Sequence, residues 1–369
     1  LHRLQRLLLP PYGRVQVNES VLNQLESYTG YLSLTNFYKI TRWPKYYTVY
    51  INDISTEGPF YKLDHYEDRQ RLYFHQCKLG RGSNNLPDDM KRLRIEDCEG
   101  MGIRCLSDVF KNFINLSDLA ELEIVDSVGI EFLWQLSSAS PCDQLEVSSF
   151  NPLRGLEWLR LHRLPNLVGL FYGESEPYLF PAGPFSSLKQ LRISGCHNMK
   201  QLFTVQLLQN LQNLETLSVE DCEGLEEIAA DGNGVGQGGG EGIQLTSSGA
   251  TATVILPNLR KLHLRGLPQL KNICKAAMIC ETIRSNNIAN CRNLKRMPLF
   301  LSTIDGESEP YLLPAGTFSS LRKLWISRCH NMKQLFTVQP LQNLQNLEIL
   351  EVNDCEGLEE IAVDGNGVG

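Results

Sequence analysis

The chain is predicted to be an α/β solenoid of stacked repeats, with a parallel β-sheet along one concave face. Three observations lead there. A short apolar pattern returns along most of the sequence. Its centre alternates with period two and its flank with period three. The spacing between copies varies on one side only.

The pattern is plainest at Leu188–Leu202, where large apolar residues occupy Leu188, Leu191, Ile193, Met199 and Leu202, with Cys196 among them. The alternation Leu191, Arg192, Ile193, Ser194 is that of a half-buried strand. Beyond it the spacing of three cannot stay on one face of a strand, so a turn is needed to return Cys196, Met199 and Leu202 to the same core. One such unit cannot bury its own apolar side and requires a neighbour of the same kind.

Strand cores follow at Leu72-Tyr73-Phe74, Leu93-Arg94-Ile95, Leu122-Glu123-Ile124, Leu159-Arg160-Leu161, Leu191-Arg192-Ile193, Leu217-Ser218-Val219, Leu262-His263-Leu264, Leu324-Trp325-Ile326 and Leu350-Glu351-Val352. A tenth, weaker unit carries Ile283, Asn286, Ile288 and Cys291, with an amide where an apolar residue belongs. The anchor residues after the strands (Cys77, Cys98, Ser127, Leu164, Cys196, Cys222, Leu267, Cys291, Cys329, Cys355) lie from 21 to 45 residues apart, so insertions belong to the return side. The longest, 231–252, contains a glycine run and is predicted to be a disordered loop. Lacking Gly-Lys-Ser/Thr and a following apolar helix, it does not fit a phosphate cradle.

Residues 1–65 are either degenerate repeats or the edge of another domain, and 66–369 form the solenoid. Val21, Leu22 and Leu25 suggest a short helix, Thr48–Ile51 a strand, and Leu207, Leu211 and Leu214 a helical return.

Composition narrows the function. With 35 basic and 42 acidic residues the net charge is -7, and the basic residues do not cluster along the sequence, which argues against nucleic acid. No apolar run reaches the roughly 20 residues of a membrane span. Seven of the eleven cysteines share one repeat position. There a buried thiol donating weakly to backbone explains them without metal or disulfide, in a reducing compartment. No catalytic site assembles: Cys196-His197, Cys329-His330 and the pairs Glu226-Glu227 and Glu359-Glu360 lack partners at fixed places, and no cofactor is expected.

The pattern Leu-x-x-Leu-x-Leu-x-x-Cys-x-x-Leu, as at Leu214, Leu217, Val219, Cys222, Leu225 and Ile228, identifies a leucine-rich-repeat solenoid, or horseshoe. The phrases Asp221-Cys222-Glu223-Gly224-Leu225-Glu226-Glu227-Ile228, Leu256-Pro257-Asn258-Leu259-Arg260-Lys261-Leu262 and Cys291-Arg292-Asn293-Leu294-Lys295-Arg296-Met297-Pro298 resemble the C-terminal repeats of plant coiled-coil, nucleotide-binding, leucine-rich-repeat disease resistance proteins. The resemblance covers roughly residues 70–369. It implies a cytoplasmic, non-enzymatic protein-recognition region that senses effectors and makes autoinhibitory contacts. Implied partners are a pathogen effector, a guarded host protein or the receptor's own nucleotide-binding domain. No Walker A lysine loop or long heptad run occurs, and the sequence starts at Leu1. The expectation is therefore a fragment carrying the sensing repeats without the nucleotide switch. A ubiquitin-ligase adaptor and an extracellular repeat receptor are the alternatives. The second predicts glycosylation sites, and only Asn18-Glu-Ser20 and Asn115-Leu-Ser117 match.

Residues 173–236 and 306–369 are near copies that differ at 11 of 64 positions. Seven of the 11 fall within 189–195 and 216–220, where inward residues are kept and outward ones change: Arg192 to Trp325, Gly195 to Arg328, Ser218 to Glu351, Glu220 to Asn353. The outward face is therefore the candidate protein-binding surface. Its candidates are Tyr73, Arg94, Arg160, Arg192, Ser218, His263, Trp325 and Glu351, since aromatic and arginine side chains dominate binding hot spots.

Overall fold

The computed structural model describes residues 4–9, 17–53, 70–82, 85–135, 153–172, 185–230, 253–274, 277–295, 318–337 and 344–363. The proposed loop at 231–252 lies outside them. The chain parts into two compact units, Leu1–Ser137 with Ser149–Gly173, and Ser138–Ser148 with Glu174–Gly369.

In the first unit seven parallel strands follow in chain order: β1 (Arg6–Leu8), β2 (Ser27–Ser33), β3 (Tyr46–Asn52), β4 (Gln70–His75), β5 (Arg92–Glu96), β6 (Glu121–Val125) and β7 (Trp158–His162). Thus β2 and β3, from the least legible stretch of the sequence, pair in register with β4, whose partners run Val49↔Leu72 and Tyr50↔Tyr73. The second unit holds six: β8 (Gln190–Ser194), β9 (Thr216–Glu220), β10 (Lys261–Arg265), β11 (Ser285–Ala289), β12 (Lys323–Ser327) and β13 (Ile349–Asn353). Sequential strands that pair in parallel, with one repeat between them, are the leucine-rich-repeat fold.

The alternation in sequence becomes alternation in space. Leu191, Ile193, Leu217, Val219, Leu262, Leu264, Leu324 and Ile326 are all buried, and the residues between them point to the other face. Asn286 takes the inward place between Leu262 and Leu324 and is 0% exposed. The period-three residues Cys196, Met199 and Leu202 are buried as well.

Two devices turn the chain out of the sheet strands from β4 onward, the second at the cysteine and serine anchors. The residue before each anchor has positive φ in all ten repeats: Gln76, Asp97, Asp126, Arg163, Asp221, Asn290, Arg328 and Asp354, and glycine at Gly195 and Gly266. The reason is visible at the backbone. From this left-handed position the N–H reaches the last strand carbonyl of the next repeat, as in Asp97 to Val125 (3.0 Å) and Asp221 to Arg265 (2.8 Å). Left-handed backbone costs an L-residue about 1–2 kcal/mol, which the closed ladder offsets. Gly195 and Arg328, counted as strand positions from the sequence, belong to this turn.

The anchor then caps the turn. Each cysteine at this position lies within sulfur hydrogen-bond reach of the carbonyl two residues back, from 3.2 Å (Cys98 to Glu96) to 3.6 Å (Cys196 to Ser194). Ser127 makes the same bond with its hydroxyl, 2.9 Å to Val125. The anchor side chain also accepts from the preceding repeat: Cys77 N–H meets Cys98 Sγ at 3.4 Å and Cys98 N–H meets Ser127 Oγ at 3.2 Å. The described cysteines are free thiols. Burial pushes those of Cys105 and Cys280 up to about 12, so they stay protonated at neutral pH.

The return side differs from the expected irregular or helical segments. Short parallel pairs recur there: Lys78–Gly80 with Glu99–Met101, Phe132–Gln135 with Gly169–Tyr172, and Gln201–Thr204 with Glu227–Ala230 and Asn272–Cys274. Stacking brings these segments to about ordinary interstrand spacing, so their backbones pair wherever the loop length permits. Helices are few among the described residues. α1 (Glu19–Leu22) and α2 (Leu34–Phe37) precede β4. α3 (Val205–Asn210) is capped by the Thr204 hydroxyl accepting from Leu207 N–H at 3.2 Å.

Candidate protein-binding face

The candidate residues occupy the central outward position of the sheet strands, so register sets them side by side. In the first unit the row runs Tyr50, Tyr73, Arg94, Glu123, Arg160 on β3 to β7. In the second it runs Arg192, Ser218, His263, Asn287, Trp325, Glu351 on β8 to β13. All eight residues chosen from sequence therefore sit in one of two rows. Tyr50, Glu123 and Asn287 complete the rows and were not chosen.

The two rows differ in what their side chains already do. In the first unit Tyr50 and Tyr73 stack, ring centroids 4.8 Å apart and planes within 11°. Glu123, only 8% exposed, holds both arginines: Arg94 Nη1 at 2.7 Å and Arg160 Nη1 at 2.8 Å. Arg94 Nε also reaches Glu96 at 3.0 Å. One carboxylate between two guanidiniums needs no other ion to be satisfied, which lowers the charge this row can offer a partner. Glu123→Ala is expected to cost about 1–2 kcal/mol, discounted because Arg160 is well exposed, and a denaturant titration of the variant against Arg94→Ala and the double variant measures it.

In the second unit the charges are looser. Arg192 and Glu351 are exposed, and Glu351 accepts from Asn353 Nδ2 at 2.7 Å. His263 Nε2 lies 3.7 Å from Glu220, and Lys323 Nζ sits 5.9 Å over the Trp325 ring. Ser218, expected to present its hydroxyl outward, is 9% exposed and donates to Glu220 at 2.9 Å, so it offers little surface of its own. His263, Asn287, Trp325 and Glu351 together line an open depression of about 540 Å³, with Arg265, Arg328 and Asp354 at its edge.

Five of the seven clustered changes between the duplicated segments fall on strands, at 190/323, 192/325, 216/349, 218/351 and 220/353, all outward. The inward registers Leu191↔Leu217 and Leu324↔Leu350 are the same pairs in both copies.

The family model for "Plant disease resistance protein RPS2-like, leucine-rich repeats" matches residues 174–305 and 308–367. Two Arabidopsis thaliana proteins are similar. The probable disease resistance protein At4g27220 is 28% identical over 207 residues, 56% of this chain and 20% of that protein. Disease resistance protein At4g27190 is 24% identical over 212 residues, 56% of this chain and 19% of that protein. The chain thus spans about a fifth of the length of these relatives. A solved structure of TLR13 with ssRNA13 aligns over 97% of this chain and 55% of its own, at TM-score 0.34 and 13% identity. Among the described residues no helix is long and apolar enough to cross a membrane.

Proposed function

Because the chain belongs to the leucine-rich repeats of RPS2-like plant disease resistance proteins, we propose that it is a recognition surface in plant defence, acting by binding and not by catalysis. Its outward rows meet a protein: a pathogen effector, a guarded host protein, or the nucleotide-binding domain of the same receptor, the last contact being autoinhibitory. Such repeats bind other proteins in general, and a cytoplasmic setting agrees with free thiols at every described anchor cysteine.

One observation carries this reading. Two segments of near-identical sequence share the inward residues of their sheet strands yet differ at registered outward positions, Arg192 against Trp325 and Ser218 against Glu351. Packing requires the first set and leaves the second free, so the differences concentrate where a partner would touch. The changes are also not spread evenly along the copies: 173–178 and 306–311 are identical.

The test exchanges the rows. Trp325→Arg with Glu351→Ser restores the first copy's residues at the second copy's place. In the complete receptor this double change is expected to weaken capture of the partner by about tenfold or more, or to release defence signalling without a trigger, while the protein accumulates normally. Unaltered capture and unaltered signalling would remove the reading.

A further inference from the structure

In the second unit, register gathers basic residues that the sequence keeps apart. The outward positions of β10, β11 and β12 are Lys261, His263, Arg265; Ser285, Asn287, Ala289; and Lys323, Trp325, Ser327. None is a carboxylate. One residue before the strands, the ladder continues from Glu215 through Arg260, Arg284 and Arg322 to Glu348. Three adjacent strands, about 10 Å across at ordinary sheet spacing, thus carry Arg260, Lys261, Arg265, Arg284, Arg322 and Lys323, all exposed.

Two of the six have partners at the margin: Arg260 with Glu215 and Arg322 with Glu348, each 3.5 Å. Among the described residues, no carboxylate forms an ion pair with Lys261, Arg265, Arg284 or Lys323. The acids around the block stand beside it: Glu220 on β9 in register with Arg265, Glu351 on β13, Asp354 at the edge of the depression and paired with Arg328, and Glu281 exposed in the preceding turn. The first unit shows the opposite arrangement, where Glu123 and Glu96 neutralise Arg94 and Arg160 in place. Positive charge is compensated within one face and left open in the other.

We propose that the block formed by β10–β12 docks a carboxylate-rich protein segment, with an apolar side chain of that segment resting on Trp325 in the depression. This rests on the reading of the outward face as a protein-binding surface and names the chemistry of what binds. Uncompensated cations beside a partly covered tryptophan favour an anion carrying one apolar anchor. A long polynucleotide fits less well than a short segment, because the basic block is only three strands wide and is bounded by Glu220 and Glu351.

Fluorescence anisotropy on the full chain tests this with a fluorescein-labelled peptide of eight alternating Glu and Asp around one central Leu. Its lysine-for-acid counterpart and a labelled fifteen-residue thymidine oligonucleotide serve as comparison probes. The acidic peptide is expected to bind. Its Kd should rise about tenfold or more in Lys261→Glu/Arg265→Glu/Lys323→Glu, and also when salt shortens the Debye length below about 5 Å. The milder Lys261→Gln/Lys323→Gln should fall between. These are surface changes, and an unchanged far-ultraviolet circular dichroism melt confirms folding. Binding that ignores both variants, absence of binding, or tighter binding of the oligonucleotide overturns the proposal. If charge reversal leaves capture of the receptor's partner intact while Trp325→Arg/Glu351→Ser abolishes it, the recognition face stands and the acidic partner falls.

Discussion

Replacing Asn286 with leucine is expected to stabilise the second unit by about 2–3 kcal/mol. The position is inward on β11, 0% exposed, and flanked in register by Leu262 and Leu324. Neither Nδ2 nor Oδ1 of the amide has a hydrogen-bond partner. A buried polar group left unsatisfied costs about 1–3 kcal/mol, and an aliphatic side chain here adds apolar burial of similar size. Leucine is larger than asparagine, so some of the gain is lost to crowding, and Asn286→Val serves as the smaller control. Because the chain has two compact units, a single melting temperature is not a clean readout. Amide exchange on Ser285–Ala289 is: it should slow by one to two orders of magnitude, about 1.4 kcal/mol for each tenfold. Unchanged or faster exchange would mean that water or a local shift satisfies the amide.

Gly224→Ala is expected to destabilise the same unit by about 3 kcal/mol. Gly224 lies in the turn after the Cys222 anchor, packed on the preceding repeat. A Cβ built there would stand 2.2 Å from the His197 carbonyl oxygen, and the equivalent Gly357 would meet His330 O at 1.9 Å. These contacts are with backbone, so relief requires two repeats to move apart, and overpacking of this kind costs about 1–3 kcal/mol or somewhat more. The neighbouring Glu223→Ala, on an exposed side chain, should stay within about 0.5 kcal/mol. Comparing the two by urea denaturation separates the clash from loss of helix or turn propensity. Equal effects would show that the turn relaxes freely.

The strand triplets were legible because each obeys a strict period of two over three to five residues, and even the defective Asn286 unit kept its flanking Ile283, Ile288 and Cys291 in place. The cysteine anchors were legible for a similar reason: a small sulfur at one recurring place in a packed core has few roles. The left-handed residues were not. Glycine marks only Gly195 and Gly266, and at Gln76 or Asp126 the conformation is imposed by the carbonyl of the next repeat, which no local propensity announces. The paired returns were also hidden, since strands of three or four residues at variable spacing carry no periodic signal. On the candidate face, the residues were legible and their states were not. Arg94, Glu123 and Arg160 alternate in sign at one repeat position, yet only register shows that Glu123 binds both. The loss of Ser218 to its neighbour Glu220, and the gathering of Lys261, Arg265, Arg284 and Lys323, likewise depend on which strands adjoin.

The joint between repeats is made from main-chain atoms and one small side chain: an N–H passed forward to the next strand's end, and a thiol or hydroxyl shared backward. Nothing in the forward bond depends on how many residues intervene before the next rung, which is why it closes alike between anchors 21 and 45 residues apart, from Gln76 to Glu96 and from Asp221 to Arg265. A stretch of genetic text cut at any such joint can be pasted at another without disturbing what lies on either side. The block at 173–236, set down again as 306–369 with its inward strand residues intact, is what that freedom permits. It also lets the exposed lettering of the second copy be rewritten at no cost to the scaffold beneath.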